Sequence, residues 1–167
     1  MSEHALRIVP LDPTWHRRTF SSGSAPLDRY FHQQVTQDVR RRVTACFVAL
    51  EEPSHRIAGY YTLASASIVL ADLPVDMAKR LPRYPSIPAV RLERLAVDQA
   101  FQGRGLGGVL LADAVARALR ADIAAYALVV DAKDATAAAF YQHHGFMACA
   151  SQPLTLFLPL ATTQVFQ

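Results

Sequence analysis

The chain has 167 residues, of which 51% are hydrophobic and 19% are charged. The length fits one domain or a tightly fused pair, and the proportions predict a sizeable core and exclude an intrinsically disordered chain. The formal net charge is +3, and lysine occurs only at Lys79 and Lys133, so nearly all the positive charge is arginine. Arginine holds phosphates and carboxylates bidentately, which fits an acidic or phosphate-bearing partner, although a GC-rich genome explains the same bias equally well.

The first half of the chain alternates helical and strand patterns. Residues 7–9 predict a short strand, and a helix is expected from the N-cap Ser24 to the arginine run at 40–42. Apolar residues at 43–50 and 57–64 predict a hairpin of two strands. Residues 71–88 contain Pro74, Pro82, Pro85 and Pro88, which favour a surface loop or a short helix.

The second half predicts strands at 90–97, 123–130 and 154–160, and helices at 106–120 and 135–144. Gly145 is placed to end the second of these helices in the left-handed conformation. Together the elements predict a single α+β domain over residues 1–167, with a mixed, mostly antiparallel sheet flanked by helices.

The two cysteines, Cys46 and Cys149, lie far apart and in no CxxC pattern, which argues against a disulfide scaffold or a zinc site. His143 and His144 are adjacent and therefore face different sides of a helix, so we expect no metal. The N-terminus lacks a signal-peptide pattern, and no apolar stretch approaches the ~18 residues of a membrane helix. We expect a soluble cytoplasmic protein without a membrane partner.

The segment that carries chemistry is residues 91–108, which runs from a strand through a glycine-rich turn into a helix. Glycines allow the backbone to approach a ligand closely, and the start of a helix presents unpaired N–H groups and a positive dipole end. The segment therefore predicts a pyrophosphate site.

Three kinds of glycine-rich motif compete for this segment. A P-loop is excluded because no GxxxxGK[ST] run is present. Gly103, Gly105 and Gly108 match the dinucleotide-binding GxGxxG, but that turn follows its strand almost directly. Here the residues from Asp98 to Gln102 intervene, and only about 60 residues follow the glycines, too few for that fold.

The third motif fits better. Gln102-Gly-Arg-Gly105-Leu-Gly107 matches Gln/Arg-x-x-Gly-x-Gly/Ala, the coenzyme A motif of the GNAT superfamily. Further on, Phe140-Tyr141 and Gly145-Phe146 match a second element of that family at the family's spacing. The chain resembles GNAT acetyltransferases over nearly its whole length, which implies the GNAT fold and acetyl-CoA as acetyl donor.

The resemblance also implies a set of cofactor-binding residues. In the family, the strand before the motif is splayed from its neighbour and binds the pantetheine arm, and the glycine turn binds the pyrophosphate. Asp134 stands where the family often has an asparagine that bonds the cofactor. The implied positions are Leu95, Ala96, Val97, Gln102, Gly103, Arg104, Gly105, Leu106, Gly107 and Asp134.

Transfer of an acetyl group to an amine requires a proton for the departing thiolate and a donor to the oxyanion. A phenol with a pKa of ~10 matches an alkyl thiol, so Tyr141 is the expected acid. The N–H of Val97 is the expected oxyanion donor. Glu93 is the candidate base, acting through a water, but the sequence leaves open whether it instead pairs with Arg91 or Arg94.

Four segments narrow the resemblance to the GNAT toxins of type II toxin–antitoxin pairs: residues 20–31, 59–64, 91–97 and 153–160. This resemblance implies acetylation of the α-amine of aminoacyl-tRNA, a ribbon-helix-helix antitoxin and a homodimer. Glu93 departs from the pattern, because toxin relatives often have glycine there. Cations that could follow phosphates are Arg40, Arg41, Arg42, Lys79, Arg80, Arg83, Arg91 and Arg94.

Two other functions stay open at this point. A metabolic or protein N-acetyltransferase would share every cofactor residue and differ in its amine pocket. A non-catalytic acyl-CoA-binding module would be expected to lose Tyr141 or the glycines, and both are intact.

Overall fold

A computed structural model describes residues 5–161. The chain forms two compact units. Unit 1 comprises Met1–Ala64 and Glu93–Ala114, and unit 2 comprises Ser65–Leu92 and Val115–Gln167. Two strands and one helix pass through both units, because the divisions of the chain fall inside these elements.

Unit 1 is built on an antiparallel meander. Strand β1 (Ala5–Pro10) pairs with β2 (Ala45–Glu52), which pairs with the first part of β3 (Arg56–Val69). Helices α1 (Ala25–Gln33) and α2 (Val35–Arg40) lie between β1 and β2 in the chain. The unit also holds the end of β4 (Ser86–Val97) and the start of α4 (Leu106–Arg120).

Aromatic rings fill the core of unit 1. The rings of Phe31 and Tyr60 stack with centroids 4.3 Å apart, and Phe20 packs edge-on against both. The Tyr60 hydroxyl donates to the Leu27 carbonyl at 2.7 Å, which ties α1 to β3. Cys46 is buried in the same cluster, and this burial raises the pKa of its thiol to about 12.

Unit 2 begins with the first part of β4, which pairs in parallel with β5 (Ala127–Asp131). Strand β7 (Thr155–Pro159) is antiparallel to β5 and to the short β6 (Met147–Ala148). The helices of this unit are α3 (Val75–Ala78), the end of α4 and α5 (Ala135–His143). Phe157 and Val129 lie in its core, together with Cys149.

The strand order is β1-β2-β3-β4-β5-β7-β6 in a seven-stranded sheet. The β4–β5 pair is parallel, and the β1–β2, β2–β3, β5–β7 and β6–β7 pairs are antiparallel. The expected mixed, mostly antiparallel sheet is therefore confirmed. Within residues 5–161, no helix is long and apolar enough to cross a membrane.

Three elements differ from the prediction for identifiable reasons. The expected single helix to residue 40 is two helices, because Gln34 departs from helical geometry with φ at −119°. Strand β4 starts at Ser86 and includes Pro88, because proline loses only its N–H and the Pro88 carbonyl still accepts from Tyr126 N at 2.9 Å. Strand β5 begins at Ala127, later than expected, since Ile123 is 85% exposed.

Other predictions hold or were incomplete. Helix α4 spans the predicted residues, and Gly145 has φ +93°, the left-handed geometry expected after α5. Strand β6 and the 3₁₀ turn Gln99–Phe101 were missed, because elements this short leave no periodicity to read.

Candidate active site

The glycine-rich turn lies between the end of β4 and the start of α4, in unit 1. Gly103 and Gly105 have φ of +82° and +77°, a backbone geometry that glycine adopts without strain. A Cβ built at either position meets no heavy atom within 4 Å, so the space above the turn is open. Open space over glycine N–H groups at a helix N-terminus suits a phosphate group.

Arginines flank this turn. The guanidinium carbons of Arg56 and Arg104 lie 5.3 Å and 5.5 Å from the centroid of the Phe101 ring. The Arg104 side chain is exposed, whereas the Leu106 side chain is buried in the core. Of these two predicted cofactor residues, Arg104 could contact a phosphate with its charged side chain, whereas Leu106 could do so only with its backbone N–H.

Asp98 holds the base of the turn. Its buried carboxylate accepts from Ala100 N at 2.9 Å and from Ser21 N at 3.0 Å, and it forms an ion pair with Arg56 at 3.5 Å. A buried carboxylate with this many donors is stabilised where it lies. Sequence reasoning missed Asp98, because the partner at Ser21 is distant in the chain.

The Gln102 carboxamide forms its hydrogen bonds with other residues of the protein. Its Nε2 donates to the Val97 carbonyl at 2.9 Å and to the Ser22 carbonyl at 2.8 Å. Both amide hydrogens are thus engaged. Gln102 directly precedes Gly103 in the predicted phosphate turn, and its side chain binds backbone carbonyls.

The three residues expected to bind pantetheine form the end of β4. The Ala96 carbonyl lies 2.9 Å from a Cβ built at Gly59, so this carbonyl faces β3. Asp98 N also faces β3, since it donates to the Ala58 carbonyl at 2.8 Å. Because backbone groups alternate sides along a strand, the N–H and carbonyl of Val97 point away from β3, and those of Leu95 do likewise.

Glu93 is paired with Arg94. The Arg94 Nη1 lies 3.0 Å from the Glu93 carboxylate, and the Arg94 guanidinium carbon lies 3.5 Å from the centroid of the Tyr30 ring. The Tyr30 hydroxyl donates to Asp38 at 2.8 Å, and burial together with this bond raises the pKa of Tyr30. Arg91 instead pairs with Asp131 in unit 2. The pairing that the sequence left open is therefore with Arg94.

Helix α5 of unit 2 carries Tyr141, and Asp134 directly precedes this helix. The Asp134 carboxylate accepts from Ala137 N at 2.8 Å, so the side chain that the resemblance places at the cofactor also caps this helix. Tyr141 packs against the rings of Phe140 and Phe146, with centroids 5.1 Å and 5.5 Å away. Burial raises the pKa of Tyr141 to about 12. Its hydroxyl makes no hydrogen bond to another residue in the range 5–161.

The predicted phosphate-following cations divide into two groups. Arg91 and Arg94 are held by carboxylates. The other six are exposed: Arg40, Arg41 and Arg42 at the end of α2, and Lys79, Arg80 and Arg83 after α3. His144 packs its ring 4.8 Å from that of Phe140. Among residues 5–161, no three His, Cys, Asp or Glu side chains are grouped as metal ligands would be.

Residues 42–148 match the acetyltransferase (GNAT) domain family, which is more than half of the chain. The chain belongs to the GNAT acetyltransferase family. As a GNAT acetyltransferase it uses acetyl-CoA as acetyl donor.

Two relatives resemble the chain over most of their length. A tRNA-acetylating toxin of Mycobacterium tuberculosis is 38% identical over 84% of this chain and 83% of the relative. A probable toxin TacT of Sinorhizobium fredii is 34% identical over 95% of this chain and 93% of the relative.

Solved structures give the same fold. AtaT complexed with acetyl-methionyl-tRNAfMet superposes with a TM-score of 0.91 at 27% identity, covering 97% of this chain and 99% of AtaT. AtaTR bound with acetyl-CoA gives a TM-score of 0.82 at 27% identity, covering 96% of this chain and 97% of that one. The GNAT fold predicted from the sequence is confirmed.

Proposed function

We propose that this acetyltransferase transfers acetyl from acetyl-CoA to the α-amine of aminoacyl-tRNA, and that it acts as a toxin by blocking translation. The observation that carries the proposal is the 38% identity to a tRNA-acetylating toxin over 84% of the chain. The structural match to a toxin solved with an acetylated aminoacyl-tRNA supports the same substrate class.

In the proposed reaction, the turn N–H groups at Gly103, Gly105 and Gly107 hold the pyrophosphate, and the exposed Arg104 adds positive charge. The end of β4 holds the pantetheine arm. The Val97 N–H, which points away from β3, donates to the carbonyl oxygen of the thioester as negative charge develops there.

The amine nitrogen attacks the thioester carbon, the carbon–sulfur bond breaks, and the thiolate requires a proton. We assign this proton to Tyr141, whose hydroxyl has no other partner within residues 5–161. Because burial raises the pKa of Tyr141 to about 12, the phenol is protonated throughout the physiological range. It is also a weaker acid than the phenol of pKa ~10 that matches an alkyl thiol, so the proton transfer is less favourable than the sequence alone predicts.

The attacking amine must lose a proton as well. We propose that Glu93 accepts this proton through a water, although its carboxylate also forms an ion pair with Arg94. An α-amine has a pKa of ~8, so part of it is already neutral near pH 7.5 and a weak base suffices.

The proposal extends to assembly and location. The exposed cations at the end of α2 and after α3 supply the charge that a tRNA backbone requires. We propose a ribbon-helix-helix antitoxin and a homodimer, as the resemblance to GNAT toxins implies, with residues 1–167 acting as one GNAT domain. A charged-tRNA substrate places the reaction in the cytoplasm.

The test is transfer of radiolabelled acetyl from acetyl-CoA to bulk tRNA charged with a mixture of amino acids. The matched controls are the same tRNA after mild alkaline deacylation and the same charged tRNA with its amines chemically acetylated beforehand. We expect label only in untreated charged tRNA, and we expect alkali to release that label as N-acetyl amino acid.

Each other outcome contradicts the proposal in its own way. Label in deacylated tRNA would point to a nucleobase amine. Label in free amines or peptides, with none in charged tRNA, would point to a metabolic or protein acetyltransferase. Binding of acetyl-CoA without transfer to any amine would indicate a non-catalytic module.

A further inference from the structure

The Gln102 side chain lies where the coenzyme A motif begins, yet its hydrogen bonds run inward to the protein. Its Nε2 is 2.9 Å from the Val97 carbonyl oxygen and 2.8 Å from the Ser22 carbonyl oxygen. Both partners are acceptors only, so the orientation of the carboxamide is fixed by chemistry: the NH₂ group faces them. The NH₂ group has no further hydrogen to offer a phosphate.

The first of these bonds holds the end of β4. The peptide unit between Val97 and Asp98 has its carbonyl bonded to Gln102 and its N–H bonded to Ala58 O at 2.8 Å. A peptide unit held at both its oxygen and its nitrogen cannot rotate freely. This fixes the orientation of the preceding residue, Val97, whose own N–H is the proposed oxyanion donor.

The second bond joins two segments. One is the loop from Asp98 to Gln102, which follows β4, and the other is the turn before α1, made of Ser21, Ser22 and Gly23. This turn makes several other bonds to the same loop. Ser21 N donates to Asp98 at 3.0 Å, and Gln99 N donates to Ser21 O at 2.8 Å. The turn and the loop are therefore one hydrogen-bonded body, although some 75 residues of chain separate them.

We propose that Gln102 is a positioning residue for the acetyl transfer: its carboxamide locks the end of β4 to the Ser21–Gly23 turn and so sets the direction of the Val97 N–H. Gln102 acts through Val97 and does not hold the phosphate with its side chain. This inference rests on the proposed role of the Val97 N–H in the acetyl-transfer reaction.

The experiment replaces the carboxamide with side chains of similar length. Gln102→Met has no donor, whereas Gln102→Arg again places more than one N–H donor on a long side chain. Gln33→Met, at an exposed position of α1, is the matched control for the substitution itself. Each protein is assayed for kcat with charged tRNA and for the Kd of acetyl-CoA by calorimetry.

We expect Gln102→Met to lower kcat roughly tenfold to a hundredfold, because a displaced donor is misaligned with the oxyanion, while the Kd for acetyl-CoA changes less than about threefold. Gln102→Arg should restore kcat to within about threefold of the wild type. A Met variant with unchanged kcat and a greatly raised Kd would overturn the inference and make the side chain a direct phosphate ligand.

A second measurement does not depend on the acceptor. Amide hydrogen exchange in the Met variant should accelerate at least about tenfold at Ser21, Asp98 and Gln99. The amides of Ser21 and Gln99 form hydrogen bonds between the turn and the loop that the Gln102 side chain also links, and the amide of Asp98 belongs to the peptide unit whose carbonyl accepts from Gln102. Unchanged exchange at all three would overturn the inference. If the wild type fails to acetylate charged tRNA but exchange responds as expected, the proposed substrate is wrong, and the positioning of the end of β4 by Gln102 is still supported.

Discussion

The glycine turn of unit 1 and helix α5 of unit 2 each carry one half of the proposed chemistry, and they are built in different ways. Around the turn, polar groups are satisfied within the protein: Asp98 and Gln102 each bond to backbone groups on two segments. On α5, Tyr141 is held by rings alone, and its hydroxyl bonds to no other residue within 5–161.

This difference matches two separate roles, the placement of N–H donors at the turn and proton transfer at Tyr141. Groups that must direct N–H donors to fixed points gain from a rigid frame set before the ligand arrives. A phenol that must hand over a proton gains from an open hydroxyl, since a competing hydrogen bond would have to break during the reaction. Removing one group from each region tests whether these roles are separate.

The largest effect is expected from Tyr141→Phe. Losing a general acid typically costs 10²–10⁴ in rate, so kcat should fall by at least about a hundredfold. The Kd for acetyl-CoA should change little, because the hydroxyl supports no described contact. Single-turnover transfer and calorimetry separate the two quantities.

Tyr126→Phe is the matched control, since Tyr126 is another partly buried phenol of unit 2 whose pKa is raised by burial. It should retain the wild-type rate. Equal losses in the two variants, or a Tyr141→Phe enzyme of normal kcat, would remove Tyr141 from the mechanism.

A smaller effect, on binding, is expected at the turn. An alanine at Gly105 must adopt φ near +77°, which costs about 1–2 kcal/mol for an L-residue, whereas asparagine tolerates this geometry better. Gly105→Ala should therefore weaken acetyl-CoA binding roughly fivefold to thirtyfold by calorimetry, and Gly105→Asn less. Equal losses in both variants would mean that the added Cβ blocks the ligand, and no loss in either would argue that the turn does not hold it.

The smallest effect concerns pH. With an α-amine of pKa ~8, the neutral fraction rises about tenfold between pH 7 and pH 9, and kcat/KM should follow it. No alkaline decline is expected in this range, because Tyr141 keeps its proton until the pH nears its pKa of about 12. A rate that falls between pH 8 and pH 9, measured on pre-charged tRNA over short times, would contradict this assignment.

The raised pKa of Tyr141 also makes the free energy of unfolding depend on pH. The folded state holds the Tyr141 proton more tightly than the unfolded state, whose pKa is near 10.0. The resulting stabilisation is fully present below pH ~10 and is lost as the pH rises towards about 12.

Much of the fold was predictable because it rests on local patterns. The helix Leu106–Arg120 and the left-handed Gly145 follow from apolar periodicity and from the demands of a helix end. The break at Gln34 was not predictable, since the apolar spacing continues across it. The glycine turn was found for the same local reason, because its glycines follow one another closely in the chain.

The supporting contacts of the site were less predictable. The clamp of Arg94 over the Tyr30 ring and the bond from Gln102 to Ser22 each join segments far apart in sequence, and a single sequence gives no signal for such pairs. The helix cap made by Asp134, which the resemblance places at the cofactor, was also missed, although an aspartate before a helix commonly satisfies its first free N–H groups.

The burial of both cysteines bears on the order of events in each turnover. The thiols of Cys46 and Cys149 have raised pKa values, so neither offers a ready thiolate on which an acetyl group could rest. We therefore expect no acetyl relay on sulfur, and we expect donor and acceptor to be bound together before the transfer. Initial-rate plots at several acceptor concentrations should then intersect, as in a ternary-complex mechanism, and a molecule that joins coenzyme A covalently to an aminoacyl adenosine should occupy both sites at once.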